Sequence, residues 1–385
     1  MSLGEDRVNV REVLFLIIRQ TVLGQKISIG DDLPCDCGEL YRLAEKHDLV
    51  HLLSSFFRKN GITVDNALSK KINQAQFLAV YRDANQEYVK DILFQTLQKA
   101  KIQFVPLKGA MIRPLYIESW MRTSCDLDVL VRENDLDNAI EALLQNGFTT
   151  DNVRNYHDVS LYRDGVHVEL HFNICESIKR LDLLLQDVWS YTVQANEFEY
   201  HENKTFFVFH HIAHMCYHFI YGGCGIKPFI DLYLLKQKSA YDEEKLISLL
   251  DKCRIHVFYD RICEVMSVWF DGGQHTDITL AIEQYILDGG VYGTAKNRNK
   301  VTAAYHKGRF ANAIKIIFPD YQAMCNYYPT VKKHKITLPF FYLIRIFSKL
   351  TDKEKAVVKK MKDVTFQDGD TIKETSAFLE SLGLN

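Results

Sequence analysis

The feature that most constrains this chain is the run Asp126-Leu127-Asp128-Val129-Leu130-Val131, in which two carboxylates interrupt an apolar strand. On a β-strand alternate side chains share a face, so Asp126 and Asp128 point one way while Leu127 and Val129 point into a core. Two close carboxylates repel each other, and burying them unpaired in apolar surroundings is costly. A divalent cation resolves that conflict, and Mg2+ suits hard oxygen donors. The run therefore predicts a metal site on a sheet face that opens into a cleft.

A third carboxylate is expected from a neighbouring strand. His167-Val168-Glu169-Leu170-His171 alternates polar and apolar, and follows a strand-like 157–162 across a turn at Asp164-Gly165. Glu169 then shares a face with His167 and His171, while Val168 and Leu170 enter the core. Upstream, Phe104-Val105-Pro106-Leu107 is a short apolar run that ends in the turn Lys108-Gly109.

Leu107-Lys108-Gly109, Arg122, Asp126-x-Asp128, Glu169-Leu170-His171 and a later histidine-rich helix resemble a known family, in that order. The chain resembles the polymerase-β-type nucleotidyltransferases, in particular little-characterised bacterial members related to antibiotic-modifying and toxin-type enzymes. The spacing matches over Lys108 to His171 and more loosely out to about Tyr342. The resemblance implies Asp126, Asp128 and Glu169 as catalytic residues and as ligands of two Mg2+ ions, with an NTP, ATP among them, as substrate. It implies phosphate contacts from the turn Lys108, Gly109 and Ala110 and from Arg113 and Arg122. The superfamily usually has Gly-Ser at this turn, so with Ala110 any side-chain contribution passes to Lys108 or Arg113. The alternative role for these basic residues is salt bridging to the acidic cluster itself.

Length and composition fit that reading. With 385 residues, 47% hydrophobic and 25% charged, the chain is long enough for two or three packed domains and is not a disordered one. The nine cysteines are irregularly spaced, and Cys35-Asp36-Cys37 is too tight for a usual zinc half-site. The first residues lack a basic start followed by an apolar run, and the run from Leu338 to Ile344 is too short to span a bilayer. A cytoplasmic protein that does not enter the membrane is expected. Residues 296–362 carry 16 Lys and Arg against 3 Asp and Glu, although the whole chain sums to −2. Such a basic stretch suits a triphosphate or RNA as partner, or else forms a solvated helical face.

The expected class is α+β: a small mixed sheet with helices before it and a mostly helical region after it. Boundaries are set at 1–101 for the N-terminal helices, 102–175 for the catalytic core, 176–362 for the helical region and 363–385 for a polar, poorly ordered tail. Helices are expected over 8–24, 39–59 (one or two), 68–101, 109–117, 134–146 and 205–221, and at 226–236, 243–252, 256–270, 277–287, 310–317 and 338–350. Along 68–101, Phe77, Val80, Tyr81, Tyr88, Ile92 and Leu93 recur at helical spacing.

In the segment 205–221, His210, His214 and His218 share one helix face. H-x-x-x-H can hold zinc, but no glutamate follows the first histidine as a metalloprotease helix requires. Structural or substrate-facing histidines are the stronger reading. His171, His214 and Asp231 are the candidate acceptor contacts, and Asp231, among apolar residues, needs partners that the histidine helix is positioned to supply. The function expected is metal-dependent transfer of an NMP unit to an acceptor hydroxyl, a small molecule first. The rivals are a tRNA- or protein-directed toxin-type transferase and a non-catalytic nucleotide-binding protein that retains the fold.

Overall fold

The computed structural model describes residues 9–27, 35–291 and 293, single positions and short pieces between 321 and 344, and residues 369–384. Helix α1 (Val10–Thr21) is capped by the Asn9 side chain, and α2 (Cys37–Lys46) by Asp36. The stretch 39–59 contains a break: α2 stops at Lys46 and α3 (Val50–Lys59) starts afresh, with Asp48 at φ +56° between them. Helix α4 (Asn66–Lys99) is a single unbroken rod of 34 residues, opened by Asp65 accepting from the backbone of Ala67 and Leu68.

Five strands form the main sheet: β1 (Phe104–Pro106), β2 (Asp126–Val131), β3 (Thr149–Arg154), β4 (Asp158–Arg163) and β5 (Val166–His171), in the order β1-β2-β5-β4-β3. Only β2 and β5 run parallel; the other pairs are antiparallel. The class is α+β, as the pattern predicts. Between β1 and β2 the expected helix 109–117 is shorter: α5 (Gly109–Ile112) is one turn and passes into a 3-10 turn at Arg113–Leu115. Pro114 has no N–H to give to the turn before it, so the α-helix cannot extend. Helix α6 (Leu136–Gln145) provides the link toward the far strands.

The remainder is helical apart from a small hairpin, β6 (Thr192–Gln194) with β7 (Tyr200–Glu202). Helices α7 (Lys179–Leu185), α8 (Lys204–Ile220), α9 (Lys227–Lys238), α10 (Glu243–Lys252), α11 (His256–Asp271) and α12 (Asp277–Gly289) follow in order. The basic stretch 296–362 and the helices expected at 310–317 and 338–350 lie wholly or largely outside the described residues.

Two cores hold the sheet. Leu127, Val129, Val168 and Leu170 project from one face onto Val89, Leu93 and Leu97 of α4 and Leu136, Ala139 and Leu143 of α6. On the other face, Val105, Leu107 and Leu130 join a larger core built from α1–α3 and α8–α12. Each buried Leu or Phe contributes roughly 1.5–3 kcal/mol. The first face is closed along its length, whereas the second leaves a cleft at the ends of β2 and β5. One expectation fails at the tail: Gly369–Ser381 is a helix, and Leu379, Leu382 and Leu384 are buried in the larger core. The leucines recur on one side of that helix and its exit, and their burial offsets the polarity of the rest. Among the described residues no helix is long and apolar enough to cross a membrane.

Candidate functional site

The register of β2 and β5 decides the site. Asp126 stands opposite His167, Asp128 opposite Glu169 and Leu130 opposite His171, so the two aspartates and Glu169 share the open face. Asp128, Glu169 and His171 bring one ligand atom each within 4.8 Å of one another. His171 Nε2 donates to Asp128 Oδ1 at 3.0 Å and lies 3.4 Å from Glu169. Lys108 Nζ stands 3.7 Å from the same Asp128 oxygen. Asp126 lines the same cleft but lies outside that trio, so the set differs from the expected one by a single member.

The electrostatics follow from this crowding. Burial pushes His171 down, but its bonds to Asp128 and Glu169 prevail and lift it to about 9. Burial likewise opposes ionisation of Asp128, yet Lys108 and His171 hold it well below the usual carboxylate range. For Asp126 the balance goes the other way: burial first, then repulsion from Asp128 and Glu169, outweighs Lys108 and His167 and raises it. Lys108 is raised because Asp128, Glu176, Asp126 and Glu169 outweigh its burial. The acidic group thus carries two resident cations, and still leaves Asp126 short of positive charge. Two carboxylates and an imidazole within reach of one point suit a divalent cation, and the shortage at Asp126 is the kind that such an ion relieves.

The turn that precedes the site is tight. Lys108 adopts φ +39° and ψ −105°, a left-handed conformation that disfavours any side chain, and Leu107 N–H donates to the Asp128 carbonyl at 3.0 Å, tying the turn to β2. A Cβ on Gly109 would come within 2.9 Å of Arg122 Nη1, so glycine is needed there for close approach. Lys108 and Gly109 line the cleft; Ala110 is half-buried and does not.

The two arginines part ways. Arg113 is almost fully buried away from the cleft, donating to Gln86 and to Ser124 Oγ at 2.5 Å, with Glu87 at 3.8 Å. The expected phosphate contact from Arg113 is therefore corrected: its guanidinium braces α4 against the start of β2. Arg122 does line the cleft, but it grips Asp231 with Nε at 2.9 Å and Nη2 at 2.8 Å, and Tyr116 Oη donates to the same carboxylate at 2.7 Å. Asp231 thus finds its hydrogen-bond partners in the segment before β2 and not in the histidine helix, while it still lines the cleft. His211 of that helix donates to the Pro228 carbonyl at 2.9 Å.

The histidines of α8 also divide. His210 is buried and donates to Glu202 at 2.9 Å. His214 donates through Nδ1 to Glu176 at 2.6 Å and accepts at Nε2 from His218 at 3.0 Å. Burial, with Lys108 and other histidines near, pushes His214 well down, and burial and His214 push His218 to about 3. Among the described residues His210, His214 and His218 do not form a metal-binding group. Instead Glu176, His214 and His218 wall a cleft of about 380 Å³ opposite the carboxylates. Glu176, His157, Asp48 and Lys227 line it too, and sequence reasoning missed all four. Glu176 and Asp48 sit in connections where no periodicity marks them; His157, which stacks on His171 at 5.4 Å, was visible only as the start of a strand.

Residues 34–271, more than half of the chain, match the family model described as uncharacterised nucleotidyltransferase. No curated protein and no solved structure matches. With the paired acidic strands behind a glycine turn and the match across that whole region, the chain belongs to the uncharacterised nucleotidyltransferase family.

Proposed function

We propose that the cleft transfers an NMP unit from an NTP to an acceptor hydroxyl and releases pyrophosphate. The observation that carries this reading is the pairing of Asp128 with Glu169 across parallel strands, next to the Gly109 turn, at the floor of an open cleft. Asp128 and Glu169, with His171 or Asp126 completing the set, would hold a divalent cation, Mg2+ by preference, which supplies Lewis-acid neutralisation of phosphate charge. The backbone at Gly109, unobstructed by a Cβ, admits the phosphates close to the sheet edge. Lys108 follows the triphosphate charge as it builds on the leaving oxygen. Arg122, pinned by Asp231, presents Nη1 beside Gly109 as a fixed donor. Glu169, half-exposed beside the reacting region, takes the acceptor hydroxyl proton.

The acceptor we favour is a small molecule, since a cleft of about 380 Å³ suits one and its far wall is Glu176, His214 and His218. The absence of a disulfide among the described cysteines accords with a cytoplasmic setting. The test is incubation with Mg2+ and each labelled NTP, together with a cell extract separated into metabolites, RNA and protein. Label should pass to the metabolite fraction, and Asp128→Asn should stop it. Metal-dependent NTP binding that survives unchanged in that variant would move the site elsewhere.

A further inference from the structure

Helix α4 has two seams. Ile72, Ala79, Gln86, Val89, Leu93 and Leu97 are buried against the protein, as a helix packed on a sheet requires. The opposite seam runs Lys70, Gln74, Phe77, Tyr81, Ala84, Tyr88, Asp91, Gln95, and every one of these residues is exposed. Its spacing alternates four and three residues, the 3.5-residue repeat of a helix that packs along a second helix. At its centre Phe77 is 68%, Tyr81 60% and Tyr88 55% exposed, with Leu78 and Val80 exposed on either flank. A contiguous apolar strip of this kind on an otherwise polar helix marks an interaction surface.

We propose that this seam is a homodimer interface in which α4 pairs antiparallel with α4 of a second copy. The seam is self-complementary in that orientation alone. With the two-fold axis between residues 82 and 83, Phe77 of one copy meets Tyr88 of the other, and Tyr81 lies over Ala84, large against small. Gln74 then meets Asp91, and Lys70 and Lys71 lie within a turn of that aspartate. A parallel pairing would set Lys70 on Lys70, Asp91 on Asp91 and Ala84 on Ala84, combining like-charge repulsion with a void. The strip from Lys70 to Gln95 is about 38 Å long at 1.5 Å per residue. Six aromatic rings, each with more than half its surface free, together with Leu78, Val80 and the charged stems, give on the order of 1,000 Å² of total buried surface, the threshold for a specific interface. A closed two-fold pairing uses the same strip on both copies and leaves none of it exposed.

Sedimentation velocity of the full chain between about 1 and 100 µM reads this directly. A concentration-dependent dimer is expected. Phe77→Glu and Tyr81→Glu should each weaken it at least tenfold without shifting the far-ultraviolet circular dichroism, because both side chains are exposed. Lys70→Glu with Lys71→Glu should weaken it less, and adding Asp91→Lys should restore it, since the swapped charges meet again only in the antiparallel register. A wild-type protein that stays monomeric throughout overturns the proposal, as does a dimer indifferent to the Phe77 and Tyr81 changes. Failure of Asp91→Lys to rescue overturns the register.

Discussion

The cleft has two walls that both bury charge, and they do so in opposite ways. On the helix wall Asp231 is matched at once by Arg122 and Tyr116, at distances between 2.7 and 3.1 Å. The Asp231 carboxylate is fully supplied with donors there. On the sheet wall three carboxylates share one lysine, His171 and, at 4.0 Å from Glu169, His167, and the closest lysine contact is 3.7 Å. A saturated pair holds the fold together; an undersupplied cluster invites a further cation. Buried charge alone therefore says little about function, and what distinguishes the walls is whether the charge is already satisfied.

The sharpest way to break this contrast is to remove charge from each wall in turn. Asp128→Asn on the sheet wall should cut nucleotidyl transfer by about a thousandfold or more, roughly 4 kcal/mol of barrier, and should lower the melting temperature, because the folded state loses the carboxylate that Lys108 and His171 hold ionised. Labelled-NTP transfer and calorimetry on the same sample check both halves. Arg122→Ala on the helix wall should act on the fold first: it strands the Asp231 carboxylate and should destabilise the protein by about 3–5 kcal/mol. Urea titration reads that loss, and a variant as stable as the parent would mean the pair is not structural.

Acid separates the walls without mutation. Burial pushes His47 and His51, beside the helix wall, down to about 4, against an unfolded value of 6.5. Because their folded pKa values are depressed, the stability they contribute is present above about pH 6.5 and lost as the pH falls through 4; each is worth roughly 3 kcal/mol when complete. His171 is raised to about 9, so its contribution is whole below pH 6.5, and Asp128, held low, keeps its contribution down to the ordinary carboxylate range. Unfolding free energies at pH 7.5, 6 and 5 should therefore decline, and His47→Leu should flatten the decline. The smallest expected effect sits between the walls. Gly109→Ala would press on Arg122 Nη1 and cost about 1–2 kcal/mol, with weaker NTP binding as the more telling readout by equilibrium dialysis.

The sequence made the sheet wall legible and left the helix wall obscure, for a physical reason. Strand alternation fixes which residues share a face, so Asp126, Asp128, Glu169 and His171 follow from period two once the strands are found. Which strand lies beside which came from the resemblance, since nothing local dictates that β5 lands next to β2. The helix wall is assembled from residues far apart in the chain, such as Arg122 with Asp231 and Glu176 with His214. Two arginines nine residues apart, Arg113 and Arg122, look alike in sequence, yet one is buried against Gln86 and Ser124 and the other edges the cleft. Periodicity along α4 was equally one-sided. It gave a helix and an apolar spacing, but Phe77, Tyr81 and Tyr88 turned out to face solvent, because spacing does not say which stripe the rest of the protein covers.

The backbone at Lys108 has a consequence for how this protein can change. Its dihedrals, φ +39° and ψ −105°, are ones that glycine tolerates and lysine does not, and the cost of such a conformation is of order 1–3 kcal/mol. Lys108→Gly would relax that strain, although glycine gives back about 0.5–1 kcal/mol through its looser unfolded chain. The same change removes the ammonium that holds buried Asp128 ionised, so relief of the backbone and loss of the ion pair oppose each other. Heat tolerance at position 108 therefore reads a balance of two opposed terms, and thermal selection on this scaffold has to be paired with a readout of transfer.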